Sequence, residues 1–176
     1  MLWRAKNIIM RNTLLILFFL FLLSCTKELI SVDFTEEGSF TEGIEGPATD
    51  SQGNIYAVNF IEQGTIGKVS PNGEASLFLS LPNGSIGNGI RFGNKDQMFI
   101  ADYTNHNILE VDLQSKKITV FAHEDEANQP NDIAISPNKT IYASDPNWSD
   151  NTGKLWKITK ENGFELLEDK MGTTNG

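Results

Sequence analysis

Four oxygen-bearing residues recur at nearly constant spacing in this 176-residue chain. They are Glu45, Asn88, Asn131 and Asn175, separated by 43, 43 and 44 positions. If each residue opens one unit of a closed repeat, equal phase makes the four side chains converge. One carboxylate and three amides offer hard oxygen ligands without sulfur or imidazole, which suits Ca²⁺ better than zinc. The alternative is that Asn-Gly and Asn-Asp are ordinary turn residues before strands.

The segments that open at these residues share one pattern: a short apolar strand, a polar turn and a second strand. The segments are 45–60, 88–103 and 131–146, and their second strands end at Asn59, Asp102 and Asp145. Further strand pairs at 66–80 and 108–122 lie between them. Each period therefore holds four strands, and no helical periodicity persists after residue 45.

A period of 40 to 45 residues with four antiparallel strands is typical of a β-propeller blade. The predicted fold class is therefore all-β, a β-propeller with about three blades present. Because a closed ring usually takes four to eight blades, the propeller is expected to be incomplete. We interpret the chain as a truncated gene product or a fragment, with a fourth unit opening at 173–176.

Short motifs at the repeat positions carry a family resemblance. They are EGPA at 45–48, QPND at 129–132, YASDP at 142–146 and TNG at 174–176. Over about residues 41–176 the chain resembles the SMP-30, gluconolactonase and luciferin-regenerating enzyme family. The resemblance implies a six-bladed, calcium-dependent propeller that holds one divalent metal, with Ca²⁺ as the expected ion.

The resemblance also implies roles for individual residues. Carried over by motif, the metal ligands are Glu45, Asn131 and Asn175. The family's remaining ligand is an Asp to which much of the proton transfer is assigned. That Asp would fall beyond Gly176, so the catalytic residue of this chain stays unknown.

A substrate-binding role is expected for three residues. Asn88 falls on a blade where family members vary, which favours a pocket role over direct ligation. Asp132 belongs to the QPND motif. Trp148 follows the Asp-Pro motif on a loop near the expected mouth of the channel, although a surface aromatic that packs on its own loop is an equal alternative.

The activity that the resemblance implies is metal-dependent hydrolysis of a small-molecule lactone, as in the gluconolactonases. The ion would polarise the ring carbonyl, and a carboxylate would activate water. Three protein ligands are few beside the six to eight oxygens that Ca²⁺ usually takes. We therefore expect weak Ca²⁺ binding and little or no hydrolysis of gluconolactone by this chain. Sugar lactones, other lactones and phosphoesters all stay open as substrates.

Other functions remain open on the sequence. Residues 99–109 resemble NHL-type repeats, whose propellers serve as non-enzymatic interaction modules, and a structural cell-surface lipoprotein is a third possibility. His106 and His123 lie beside turns, where a solvated or backbone-satisfied imidazole is expected. The sequence contains no Gly-x-Ser-x-Gly elbow, so a serine hydrolase has no support.

The N-terminal segment differs in composition from everything after it. Arg4, Lys6 and Arg11 precede an apolar run at 14–23, and the first 24 residues contain no acid. This pattern predicts a signal peptide, since a run of about ten residues is too short to span a bilayer, which takes about 20.

The apolar run ends directly before Cys25, the only cysteine of the chain. The Leu-Leu-Ser-Cys sequence resembles a bacterial lipobox, which implies lipidation at Cys25 and anchoring in the cell envelope. An ordinary signal peptide with an accidental cysteine is the alternative. The expected domains are a lipoprotein signal peptide at 1–24, a tether with a possible first strand at 25–40, and a partial β-propeller at 41–176.

Charge excludes one class of partner. After the signal peptide the chain carries 11 basic and 23 acidic residues, a formal charge of −12. A nucleic acid is therefore not an expected partner, because such partners require neutralisation of phosphates by cations.

Overall fold

A computed structural model of the protein describes residues 29–94 and 96–176. Contacts divide the chain into two units, 1–32 and 33–176. The predicted signal peptide and Cys25 lie outside the described residues. In the first unit, residues 29–32 belong to no helix or strand. None of the described residues forms a helix long and apolar enough to cross a membrane.

The second unit contains three four-stranded antiparallel sheets, which we call blades 1, 2 and 3. Within each blade the strands pair in chain order, as expected for two consecutive hairpins per period. Blade 1 consists of β1 (Ala48–Thr49), β2 (Ile55–Val58), β3 (Thr65–Val69) and β4 (Ala75–Ser80). Blade 2 consists of β5 (Gly87–Phe92), β6 (Gln97–Asp102), β7 (Asn107–Asp112) and β8 (Ile118–His123). Blade 3 consists of β9 (Ile133–Ile135), β10 (Ile141–Asn147), β11 (Thr152–Thr159) and β12 (Gly163–Glu168).

The predicted fold class is therefore confirmed: the described chain is all-β and forms part of a propeller. In the described residues before residue 41 there is one isolated antiparallel bridge, between Phe40 and Phe60. Their rings pack edge to face with centroids 5.4 Å apart. This bridge places the start of the second unit against blade 1.

Side-chain hydrogen bonds close the turns between the first two strands of a blade. The Oδ1 atom of Asp50 accepts from the backbone N–H groups of Gln52 and Asn54, each at 2.9 Å. In blade 3, Oγ of Ser136 accepts from the N–H of Thr140 at 3.1 Å. Asp, Asn and Ser occupy such turns because their side chains bond the local backbone. The polar clusters of the sequence thus correspond to the predicted turns.

The hydrophobic core lies between consecutive blades, because each sheet presents an apolar face to the next. One cluster joins blades 1 and 2, and another joins blades 2 and 3. The first cluster contains Tyr56, Val58, Ile66, Leu79, Ile90, Met98, Ile100, Leu109 and Val111. The second contains Phe99, Ala101, Ile108, Ala122, Ala127, Ile133, Ile141, Ala143, Trp156 and Ile158.

One position of the repeat shows that an aromatic side chain is buried where another blade follows. Tyr56 and Phe99 occupy the same phase in blades 1 and 2 and are 3% and 7% exposed. Tyr142 occupies this phase in blade 3 and is 36% exposed. Within residues 29–94 and 96–176, therefore, no further blade covers the corresponding face of blade 3.

Candidate metal and substrate site

The four in-phase residues of the sequence meet near the starts of β1, β5 and β9, the first strands of the three blades, which we call the inner strands. Glu45, Asn88, Asn131 and Asn175 all line a pocket of about 320 Å³. The same four residues line an adjoining pocket of about 270 Å³. Residues that occupy the same position in successive repeats therefore lie close together in the structure, as their spacing predicted.

Close contact between neighbouring inner strands brings these residues together. The N–H of Gly89 donates to the carbonyl of Asn131 at 2.8 Å. A Cβ atom on Gly89 would lie 2.8 Å from that carbonyl oxygen, and one on Gly46 would lie 2.0 Å from the carbonyl oxygen of Asn88. Gly46 also has a φ of +55°, which glycine adopts without strain. A glycine after Glu45 and another after Asn88 thus let adjacent blades touch at the site.

Two buried carboxylates hold the segments that lead into the site. Asp102 is fully buried, and its Oδ2 accepts from the Ser85 hydroxyl at 2.7 Å. Asp145 is also fully buried and accepts from the N–H of Asn128 at 2.9 Å and from the N–H of Gln129. These donors lie two or three residues before Asn88 and Asn131. The ends of β6 and β10 therefore fix the chain just before it enters the pocket.

The donor set decides what the pocket could hold. Asn131 is 7% exposed, Asn88 is half-buried, and Glu45 and Asn175 are exposed. Among the described residues there is no cluster of three or more His, Cys, Asp or Glu side chains suited to a metal. A metal here would depend on amide oxygens beside one or two carboxylates, which fits a hard divalent cation.

The three predicted substrate residues have different surroundings. Asn88 lines both pockets. Trp148 lines the larger pocket of the two and is 50% exposed. Its loop is shaped by Asn147, whose Oδ1 accepts from the Ser149 hydroxyl at 2.8 Å. The substrate role of both residues stays a prediction.

Asp132 is already engaged by protein groups. Its Oδ2 lies 2.9 Å from Nη2 of Arg91, and its Oδ1 accepts from the N–H of Ile133 at 2.9 Å. The carboxylate lines the adjoining pocket with Arg91. A substrate contact of Asp132, which stays a prediction, would therefore compete with an ion pair that the sequence did not indicate.

Several pocket residues were missed by the sequence reasoning. They are Glu42, Asn59, Gln63, Tyr103 and Gln129. The sequence did contain an indication for Asn59, because this residue occupies the same position in its repeat unit as Asp102 and Asp145. No Lys, Arg or His is present among the described residues that line this pocket. The pocket thus combines acidic, amide and aromatic side chains.

Both histidines lie away from the pocket, on a separate groove along blade 2. Nδ1 of His123 lies 2.9 Å from Oδ1 of Asn107, and Nε2 lies 3.0 Å from Oδ1 of Asp125. His106 has a left-handed φ of +55°. His106 lies in the turn before β7, as expected, whereas His123 is the last residue of β8 and its ring contacts side chains rather than backbone groups.

A larger groove of about 540 Å³ lies between blades 2 and 3 near the turns at the other end of the strands. Phe99 and Phe121 contribute to its lining, and their rings pack edge to face. Gln97 and Glu110 also line it and bond each other at 2.6 Å. The groove contains none of the in-phase residues and is better explained by blade packing.

Comparisons with known proteins agree with this architecture. A sequence profile described as "SMP-30/Gluconolactonase/LRE-like region" matches residues 43–176. No curated protein matches the chain in sequence.

Three solved structures illustrate the likeness in fold. A nidogen/laminin complex aligns with a TM-score of 0.67 and 20% identity, covering 81% of this chain and 54% of that one. The calcium-binding protein regucalcin from Agrobacterium tumefaciens aligns with a TM-score of 0.61 and 16% identity, covering 76% and 45%. A gluconolactonase from Xanthomonas campestris aligns with a TM-score of 0.61 and 14% identity, covering 78% and 49%. The chain spans about half the length of these structures.

Proposed function

Because the chain belongs to the SMP-30/gluconolactonase/LRE-like family, we propose that it serves the metal-dependent hydrolysis of a lactone, as gluconolactonases do. One observation carries this proposal. Four oxygen-bearing residues from successive repeat units line a single pocket at one end of the inner strands.

Glu45, Asn131 and Asn175 would hold the divalent metal, with Ca²⁺ as the proposed ion. The set fits such an ion because its donors are one carboxylate and two amide oxygens. Three protein oxygens leave much of a shell of six to eight to water or other ligands. We therefore expect weak binding, with a Kd of about 10⁻⁴ to 10⁻³ M.

When bound, the metal would supply a Lewis acid for the lactone carbonyl. The described residues would bind the lactone and orient it toward the metal. Asn88 and Gln129 offer amide groups for hydroxyls of the substrate, and Trp148 offers an apolar face at the mouth. The two positive charges of a bound divalent ion would offset the carboxylates of Glu42 and Glu45, so the charge of the pocket does not choose between a neutral lactone and a phosphoester.

Calorimetric titration with Ca²⁺ tests the proposal directly. The wild-type protein should give a saturable heat, and Glu45→Gln should weaken the affinity at least about tenfold, since it removes the one charged ligand. Glu42→Gln is the matched control, because Glu42 lines the same pocket outside the repeat phase. Acid release from a sugar lactone at constant pH should stay close to the uncatalysed rate in this chain, and any excess over that rate should require both Ca²⁺ and Glu45.

The titration also separates this function from the interaction-module alternative. A non-enzymatic propeller does not need a carboxylate and amides in phase at the pocket. A wild-type protein that gives no Ca²⁺ heat, or a heat that Glu45→Gln leaves unchanged, would rule out the metal site and favour the interaction module.

We also propose that the protein is exported and anchored in a bacterial membrane through a lipid on Cys25. The support is the charge and apolar pattern before the lone cysteine. Detergent-phase partitioning of the protein expressed in a bacterium tests this. Wild-type protein should enter the detergent phase and Cys25→Ser should not; equal partitioning would refute the anchor.

A further inference from the structure

A polar side chain near the end of the second strand holds the segment that enters the pocket in all three blades. Asn59 directly follows β2, Asp102 ends β6, and Asp145 lies two residues before the end of β10, so the predicted end of that strand at Asp145 was wrong. Asn59, Asp102 and Asp145 are separated by 43 and 43 positions, and all three are at least nine-tenths buried. In blades 2 and 3 the residue is a carboxylate that accepts hydrogen bonds from the segment leading into the pocket. The side chain at this position thus sets where the pocket residue of its blade lies.

In blade 1 the direction of the hydrogen bond is reversed. Nδ2 of Asn59 donates to the carbonyl oxygen of Gly43 at 2.9 Å, two residues before Glu45. The carbonyl of Asn59 also accepts from the N–H of Thr41 at 2.9 Å. Two bonds from Asn59 therefore hold the segment 41–45.

The backbone at this position also suits asparagine. Asn59 has a φ of +64°, a left-handed conformation that asparagine tolerates better than most residues. Its Oδ1 is buried and has no hydrogen-bond partner in the described part of the chain. The side chain of Asn59 is therefore tied to Gly43 through Nδ2 alone.

We infer that Asn59 is the positioning residue for Glu45, and that aspartate, which holds this place in the other two blades, cannot replace it. An aspartate carboxylate has no proton to donate near neutral pH. It would set a negative oxygen against the carbonyl of Gly43 in a site only 5% exposed, and an unpaired buried charge is costly. The segment that carries Glu45 would lose its side-chain tether and keep only the backbone bonds in which Thr41 donates to the Asn59 carbonyl and Val58 donates to the Glu45 carbonyl. The inference concerns the site of the proposed function and rests on that function only for its metal readout.

Hydrogen exchange followed by mass spectrometry tests the positioning role without any metal. In Asn59→Asp, the peptide covering 41–46 should exchange at least about tenfold faster than in the wild type. Loss of the Nδ2 bond to Gly43 lets the segment open more often, and each opening releases the Thr41 amide from the backbone carbonyl of Asn59. Asn59→Gly keeps the left-handed backbone and removes only the donor, so it should act in the same direction if the aspartate variant fails to fold. Unchanged exchange at 41–46 in Asn59→Gly would overturn the inference.

Asn54→Asp is the matched control. Asn54 is a second buried asparagine of blade 1, 6% exposed, and its Nδ2 donates to Oδ2 of Asp50 at 2.7 Å in the turn before β2. This variant also places a carboxylate against an acceptor. It should speed exchange around 50–56 and leave 41–46 protected; equal loss of protection at 41–46 would mean that Asn59 acts only through the stability of the blade.

Ca²⁺ titration supplies the second readout. Added negative charge alone would strengthen cation binding, so weaker binding by Asn59→Asp would report a displaced Glu45. We expect at least a tenfold loss in Asn59→Asp and in Asn59→Gly, and none in Asn54→Asp. Undiminished affinity in both Asn59 variants would overturn the inference. If the wild type binds no Ca²⁺, the proposed function fails, and the exchange result still decides the role of Asn59.

Discussion

Replacing Gly46 by alanine tests how closely the inner strands must approach at the pocket. An alanine Cβ would lie 2.0 Å from the carbonyl oxygen of Asn88. Because Cβ contacts below 3.0 Å essentially never occur, one of the two strands must move by at least about 1 Å. The variant therefore separates Glu45 from Asn88.

Two contributions add to the cost in stability. The left-handed φ of +55° at Gly46 costs an alanine about 1–2 kcal/mol. Relief of the clash with rigid backbone costs a further 1–3 kcal/mol or so, by analogy with overpacked cores. Gly84→Ala isolates the first contribution, because Gly84 has a φ of +73° and nothing within 4 Å of its added Cβ.

Urea unfolding followed by tryptophan fluorescence measures the difference. With a slope of about 2 kcal/mol/M, the excess corresponds to a midpoint about 0.5–1.5 M lower in Gly46→Ala than in Gly84→Ala. Ca²⁺ binds oxygens at about 2.3–2.6 Å, so a shift of about 1 Å between the segments should lower the Ca²⁺ affinity of Gly46→Ala and not that of the control. Equal midpoints for the two variants would refute the close backbone approach of Gly46 to Asn88.

Two further predictions follow from buried groups. Asp145→Asn should lower the free energy of unfolding by about 3 kcal/mol, because Asp145 accepts hydrogen bonds from Asn128, Gln129 and Trp156. In urea unfolding, the exposed control Asp125→Asn should change this free energy by less than about 0.5 kcal/mol. Similar losses in the two variants would contradict the structure. Burial, the negative charge of Asp50 and a hydrogen bond to Asp50 raise the pKa of Tyr56 to about 12 from its ordinary value of 10.0. The contribution of Tyr56 to stability is therefore full below pH 10 and is lost as the pH rises toward 12. Ultraviolet difference absorbance should show a high-pH tyrosine step that Tyr56→Phe removes, and titration of every tyrosine near pH 10 would show this pKa to be wrong.

The fold was predictable because it repeats. A spacing of 43 residues recurs in the polar residues that open each unit and in those that end the second strands. Equivalent units in a propeller stack in equivalent ways, so equal phase implied that Glu45, Asn88, Asn131 and Asn175 would meet, and they line one pocket. Periodicity thus predicted both the sheets and the place of the candidate site.

The contents of the pocket were less predictable, because side chains from different blades decide them. The ion pair of Asp132 with Arg91 joins residues 41 positions apart, and no local pattern indicates which side chains meet across two strands. Tyr103 and Gln63 line the pocket, although neither belongs to a sequence motif that indicated a site.

Asn59 shows the same division at a single position. The sequence by itself determined that a polar residue lies near the end of the second strand of each blade, because the repeat places Asn59 in phase with Asp102 and Asp145. It also determined that the two aspartates accept, since an ionised carboxylate has no proton to donate. Only the tertiary structure decided the partners: Asn59 donates to the carbonyl of Gly43, Asp102 accepts from the Ser85 hydroxyl, and Asp145 accepts from the N–H of Asn128. The physical reason is that an amide can donate or accept, and the polar group that a neighbouring segment presents is known only once the segments are packed together.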